Sequence, residues 1–329
     1  MRKFVLLAAV AAAIALPSAA FAQAKVTMRI SHQLPPSHHI AQLTDAFAAD
    51  VKKRTNGEVD VQIFGSSKAF KPTENYPAVA KGDIEGALAV NFQWGATIPE
   101  MSVTAIPYFY TDLDKIKKFP GSEANKLLDA KLEAKGVHNL AWFYTTRISI
   151  ITSNKKPIVA LDDFKGIKIR GLNKMVDTAF TNVGASPSAL PGDEVYNGLQ
   201  TGVIDAGLTD ISAAYSRKYY EVQKYGTVTP FFTVYFHLYV NPKWWNDLPQ
   251  KYKDAISAAA KKAEADSIAL TEKTAADAVD QLKAKGMVLH IQTPAETKQW
   301  AAKMQQPVLD AFKVSAPDAA KILDAINKL

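Results

Sequence analysis

The stretch FKGIKIRG, Phe164 to Gly171, ends in the residue most able to do chemistry in this chain, Arg170. Ile167 and Ile169 alternate with Lys168 and Arg170, the period of a strand with one buried face. A guanidinium at such a strand end has two uses. It is solvated, with Asp162 or Asp163 as a surface partner, or it receives an anion, and its planar fork of donors suits a carboxylate. Other chemistry is scarce. The six histidines (His32, His38, His39, His138, His237 and His290) form no H-E-x-x-H helix, and adjacent His38 and His39 diverge on any regular element rather than chelate. There is no nucleophile elbow and no phosphate-cradling glycine loop. Asp162-Asp163 reads as a cap or a solvated pair. No metal, no cofactor and no enzymatic activity are expected.

The chain start sets the compartment. Met1-Arg2-Lys3 is cationic, Phe4 to Leu16 is apolar, and Ala20-Phe21-Ala22 is a small-residue cleavage pattern. This is a secretory signal peptide over residues 1–22, cut between Ala22 and Gln23, with a periplasmic destination; its apolar run is shorter than the ~20 residues of a membrane span. The sequence has no cysteine, so stability must come from burial, and about 307 mature residues suffice for a large core in two lobes. The formal charge is +7, of which Arg2 and Lys3 carry two, leaving +5 scattered charges. That field favours small anions modestly; no nucleic-acid partner is expected.

The elements that must position Arg170 follow an α/β rhythm. KVTMRIS is a first strand, Ala41 to Arg54 a helix with Leu43, Phe47 and Val51 on one face, EVDVQIF a strand, Thr73 to Lys81 a helix, and GALAV a strand. Later come an apolar stretch from Gly136 to Thr152, a helix from Asn173 to Val183, a short helix from Glu194, and the strands VIDAGL and FTVYFHLYVN. Gln250 to Lys285 then runs 36 residues without Pro or Gly. This predicts a helix about 54 Å long, a strut across both lobes with a kink partway.

The segments LDDFKGIKIRG, VGASPSALPGDEVYNGLQTGVID and YYEVQKYGTVT, with HQLPPSHH, FGSSKAF, IPYFY and VNPKWWNDLP, closely resemble the solute-binding subunit of tripartite ATP-independent periplasmic (TRAP) transporters. The similarity extends in order over the whole mature chain. It implies a two-lobed periplasmic-binding-protein-like α/β fold with hinge-crossing strands and a long shared helix. Residues 25–146 with 235–274 would form the first lobe, and 147–234 with 275–329 the second. It also implies a monomeric binding protein that closes on a small organic acid and delivers it to TRAP permease membrane subunits. A receptor-linked sensing module of the same fold, or a periplasmic enzyme, are the alternatives.

By this resemblance Arg170 matches the arginine that pairs with the ligand carboxylate. A second arginine of the family falls near Arg147, although the spacing from Arg147 to Pro157 is about two residues longer than the family's, so Ser149 is the alternative. Thr209 stands where an asparagine commonly contacts ligand, and Asp210 replaces a proline; Gly192 and Asp193 occupy the place of a pocket aromatic in some sugar-acid binders. Asn91, Phe92 and Trp94 follow a strand end facing the expected cleft, and Phe232 lies on a crossing strand, so rings would flank an aromatic or apolar acid. Ser31, His32 and Gln33 end the first strand and add polar contacts.

Overall fold

A computed structural model describes residues 25–329; the expected signal peptide lies outside the described residues. Two mixed sheets organise the chain. The first contains β1 (Val26–Ser31), β2 (Val59–Phe64), β3 (Gly86–Val90), β4 (His138–Thr146) and β10 (Val234–Val240), in the order β2-β1-β3-β10-β4. The second contains β5 (Ser149–Ser153), β6 (Lys168–Gly171), β7 (Ser186–Ala189), β8 (Ala206–Asp210), β9 (Tyr225–Thr229) and β11 (Val288–Ile291), in the order β11-β9-β5-β8-β6-β7. β1 pairs in parallel with β2 and β3, and β6 with β7 and β8. Parallel strands covered on both faces read as continuous apolar runs, and all five residues of GALAV in β3 are buried.

The chain crosses between sheets twice in extended form. β4 leads into β5 through Arg147 and Ile148, and β9 leads into β10 through Pro230 to Thr233. The crossings run side by side, because Thr146 pairs with Val234 and Ser149 with Thr229.

The helix Gln250–Ala284 makes the third connection, an unbroken 35 residues or about 52 Å. It contains no Pro or Gly to open its hydrogen-bond ladder, and it shows no break where a kink is expected. Tyr252, Ile256, Ala259 and Ala263 join the core of the first sheet, while Ala275, Ala278 and Leu282 pack with Ile150, Val195 and Ile211 beside the second. Between these apolar stripes lies a polar band. β4 is an edge strand, and an edge exposes unpaired backbone groups. Glu264 Oε1 accepts from Trp142 N (2.8 Å), Ser267 Oγ accepts from Tyr144 N (3.0 Å), and Thr271 Oγ1 donates to Tyr144 O (2.7 Å). Spacing near i, i+3, i+7 on the helix thus meets the i, i+2 spacing of the strand.

Two segments depart from the sequence reading. Within the expected Asn173–Val183 helix only Thr178–Thr181 is α-helical, because Asn173 Oδ1 takes the amides of Met175 (3.2 Å) and Val176 (3.0 Å) in a turn. The last helix, Ala319–Asn327, lies in the range expected for the second lobe. It packs instead on the helix Glu123–Glu133 beside the first sheet, where Ile322 and Ile326 are buried and Lys131 bonds Asp318 at 2.7 Å.

Candidate binding site

In open α/β sheets the groups able to meet a ligand gather beyond the carboxyl ends of parallel strands. β3 ends at Val90, β6 at Gly171 and β8 at Asp210, and a small cavity lies at these ends. It is lined by the polar side chains of Gln33, Thr146, Arg170, Thr209, Asp210 and Arg217, by Gly192, and by Val90, Phe92, Phe232, Val234 and Phe236. Its volume is ≈ 30 Å³, about the share of one molecule in liquid water. The walls therefore leave little free space beside Arg170.

Arg170 is 4% exposed. Nε donates to Leu190 O (3.1 Å) and Nη1 to Leu208 O (2.6 Å). Burial lowers its pKa to about 10 and neighbouring Arg217 opposes its charge, yet it stays protonated at neutral pH. The surface partners are taken: Asp162 pairs with Lys165 and Asp163 with Lys156. Among the described residues no carboxylate lies within 4 Å of Arg170. A buried cation whose hydrogen bonds go to carbonyl oxygens, with Asp210 and Asp177 acting only at longer range, is poised for an anion, since buried charges are ordinarily paired.

The other candidates divide. Thr209, Asp210, Phe92 and Phe232 reach the cavity with Arg170. Asp210 also caps the helix Ile211–Ser216, Oδ1 accepting from Ala213 N at 2.7 Å, and its Oδ2 faces His38 Nε2 at 3.7 Å. Burial pushes this carboxyl up, but His38, His39 and Arg217 prevail and hold it below the usual carboxylate range. His38 itself is buried, which lowers its pKa, and its Nδ1 accepts from Ile40 N.

Five candidates are engaged elsewhere. Arg147 turns away from the cavity to Glu272 on the long helix, Nη2 to Oε2 at 2.8 Å and Nε to Oε1 at 3.1 Å, while Tyr144 Oη donates to the same carboxylate at 2.6 Å. Trp94 Nε1 donates to His237 Nε2 at 2.7 Å inside a ring cluster with Tyr76 and Tyr239. Asn91 donates to Met101 O and Thr104 Oγ1 and accepts from Tyr235 N, so its amide is consumed in the core. Ser31 Oγ bonds Phe70 O at 3.4 Å, and His32 Nδ1 accepts from Leu34 N at 3.1 Å. Ser149, the alternative to Arg147, is fully buried on β5 and is not in the cavity lining.

Sequence reasoning missed Thr146 and above all Arg217, placed Gly192 at the pocket only as the substitute for an aromatic, and left Gln33 among general polar contacts; Gln33 Oε1 accepts from Gly192 N at 3.2 Å. A signal for Arg217 exists only in Gly192. A Cβ there would sit 2.7 Å from Nη2 and 2.8 Å from Nη1 of Arg217. The glycine makes room for a guanidinium that the run SRKYY otherwise presents as a solvated charge.

Two lobes, two crossing strands and a cation-bearing cavity between the sheets are the architecture of bilobal ligand-binding proteins. The chain belongs to the bacterial extracellular solute-binding protein family 7, whose model matches residues 30–314. It is similar to the C4-dicarboxylate-binding periplasmic protein DctP of Rhodobacter capsulatus, with 30% identity over 256 residues covering 77% of this chain and 76% of that protein. Among solved structures, a TRAP periplasmic solute-binding protein from Desulfovibrio salexigens with bound orotic acid matches with a TM-score of 0.86 and 28% identity, covering 92% of this chain and 97% of that one. One from Sulfurospirillum deleyianum with bound succinate matches with a TM-score of 0.84 and 28% identity, covering 92% and 100%. The expected family and two-lobed fold are borne out.

Proposed function

We propose that this protein is the periplasmic receptor of a TRAP transporter, capturing a small organic acid by its carboxylate between the lobes and handing it to the membrane permease as a monomer. One observation carries this reading: a buried, charged guanidinium without a carboxylate partner lines the cavity at the carboxyl ends of β3, β6 and β8. Arg170 grips the carboxylate, Thr209 adds a hydroxyl, and Phe92 and Phe232 close over the apolar part. The bound acids of the similar proteins, orotate and succinate, share the carboxylate that this chemistry requires.

The test is a thermal-shift screen of organic acids followed by calorimetry on Arg170→Gln. A ligand at about 100 times its dissociation constant adds ~2.7 kcal/mol of stability. Leaving the bound carboxylate unpaired costs about 3–5 kcal/mol, or two to four decades of affinity at ~1.4 kcal/mol per decade. An Arg170→Gln protein within about threefold of the wild type (under ~0.7 kcal/mol) would remove Arg170 from the role.

A further inference from the structure

We propose that Arg217 is a second anion-holding residue, and that Asp210 cancels one of the two guanidinium charges so that the cavity selects a monocarboxylate over a dicarboxylate. The inference rests on the reading that the cavity takes an organic acid, and it assigns the charge state of that acid. Three charged side chains line the cavity: Arg170, Arg217 and Asp210. Two other nearby carboxylates are outside its lining and engaged elsewhere, Asp177 with Leu172 N at 2.8 Å and Asp193 with Ser67 Oγ at 2.7 Å. The lining therefore sums to one positive charge, which one carboxylate neutralises. A dianion would leave an uncompensated negative charge against buried walls, where charge imbalance is costly.

The guanidinium of Arg217 packs against Gly192 in a neighbourhood that includes Tyr219 and Asp210. Gly192 gives it space that a single methyl group would fill. Its Nε is buried with no hydrogen-bond partner among the described residues, an arrangement that buried donors seldom keep without a function. Asp210 is fixed independently, by its 2.7 Å bond to Ala213 N. Its negative charge is thus a permanent part of the wall, contributed where β8 ends.

The experiment measures orotate, pyroglutamate and benzoate as monoanions, and succinate and fumarate as dianions, by calorimetry at pH 7.5. The proteins are the wild type, Arg170→Gln, Arg217→Gln, Gly192→Ala and Asp210→Asn. Asparagine caps helices as well as aspartate does, so Asp210→Asn removes charge and keeps the fold. The wild type is expected to bind its best monoanion at least about tenfold tighter than either dianion, since a repelled like charge in a buried site costs more than one decade. Arg217→Gln should weaken that monoanion by about thirtyfold or more, Gly192→Ala should weaken it in the same direction, and Asp210→Asn should move the ratio about tenfold toward the dianions.

A wild type that prefers succinate overturns the inference. So does an Arg217→Gln protein with unchanged affinity, or an Asp210→Asn protein with an unchanged ratio, and either result with Arg170→Gln still crippled leaves the organic-acid reading intact. Failure of every acid to bind the wild type, or indifference to Arg170→Gln, overturns that reading and the charge assignment with it.

Discussion

Replacing Glu272 with alanine would leave Arg147 without its counter-ion where the chain first crosses between the sheets. Both side chains are 28% exposed, between the surface regime, in which a pair contributes about 0.2–1 kcal/mol, and the buried regime, in which breaking one costs about 3–5 kcal/mol. Tyr144 is buried, and its hydroxyl donates to the same carboxylate, adding the loss of a charge-assisted bond of about 1.5 kcal/mol. The expected cost is about 2–3 kcal/mol, a fall of about 5 °C in melting temperature for a chain of this size. Arg147→Ala, which keeps the tyrosine bond, should cost less, about 1–2 kcal/mol. Differential scanning calorimetry without ligand reads both, and isothermal titration with the best organic acid reads affinity, which should stay within about threefold (under ~0.7 kcal/mol). Arg147→Ala melting like the wild type while binding the acid ten or more times more weakly (about 1.4 kcal/mol) would refute the hinge role and return this arginine to the ligand.

Two further outcomes follow from the structure. Burial depresses His32 to a pKa of about 4 and His39 and His237 to about 3, so the stability they contribute is present above the unfolded value of about 6.5 and is lost as pH falls below it. Burial raises Asp129, Asp177 and Glu264 to about 6, which favours the folded state on acidification. By pH 5 each histidine loses about 2 kcal/mol and each carboxyl recovers about 1.3 kcal/mol. These six groups sum to a net loss of about 2 kcal/mol between pH 7 and pH 5, and buried His38, also depressed, deepens it; urea unfolding that shows a gain over that range would contradict it. Gly171→Ala would place a Cβ 2.3–2.5 Å from the carboxylate of Asp177, forcing it off Leu172 N at a cost of about 2 kcal/mol. Asp177→Ala in the same chain should erase the extra penalty, and additive losses in the double-mutant cycle would count against the clash.

The strands were legible because their signals are local. Period-two alternation placed Arg170 on β6, and the apolar run GALAV placed β3. Thr209 and Asp210, in the same cavity, were named by the family resemblance rather than by a local signal. What was not legible is where a polar side chain finds its partner far along the chain. Trp94 and Asn91 follow β3 as expected, but their donors are taken by His237, 143 residues away, and by Met101 and Thr104. Arg147 lies on the crossing segment, yet Glu272 claims it from a helix 125 residues on. Arg217 was hidden for the converse reason. A charge next to lysine and two tyrosines looks solvated, and only the packing of Gly192 against it shows otherwise.

The paired crossings carry one more implication. A rigid rotation moves each atom in proportion to its distance from the axis, and Thr146 and Phe232, both in the cavity wall, sit on or next to the two segments that form the pivot. In the proposed capture, a swing of the lobes about these crossings would hardly move the groups there, while the opposite rim would sweep the widest arc. The innermost end of a guest would meet nearly the same wall before and after the swing, so docking of that end and shutting of the mouth are separable events.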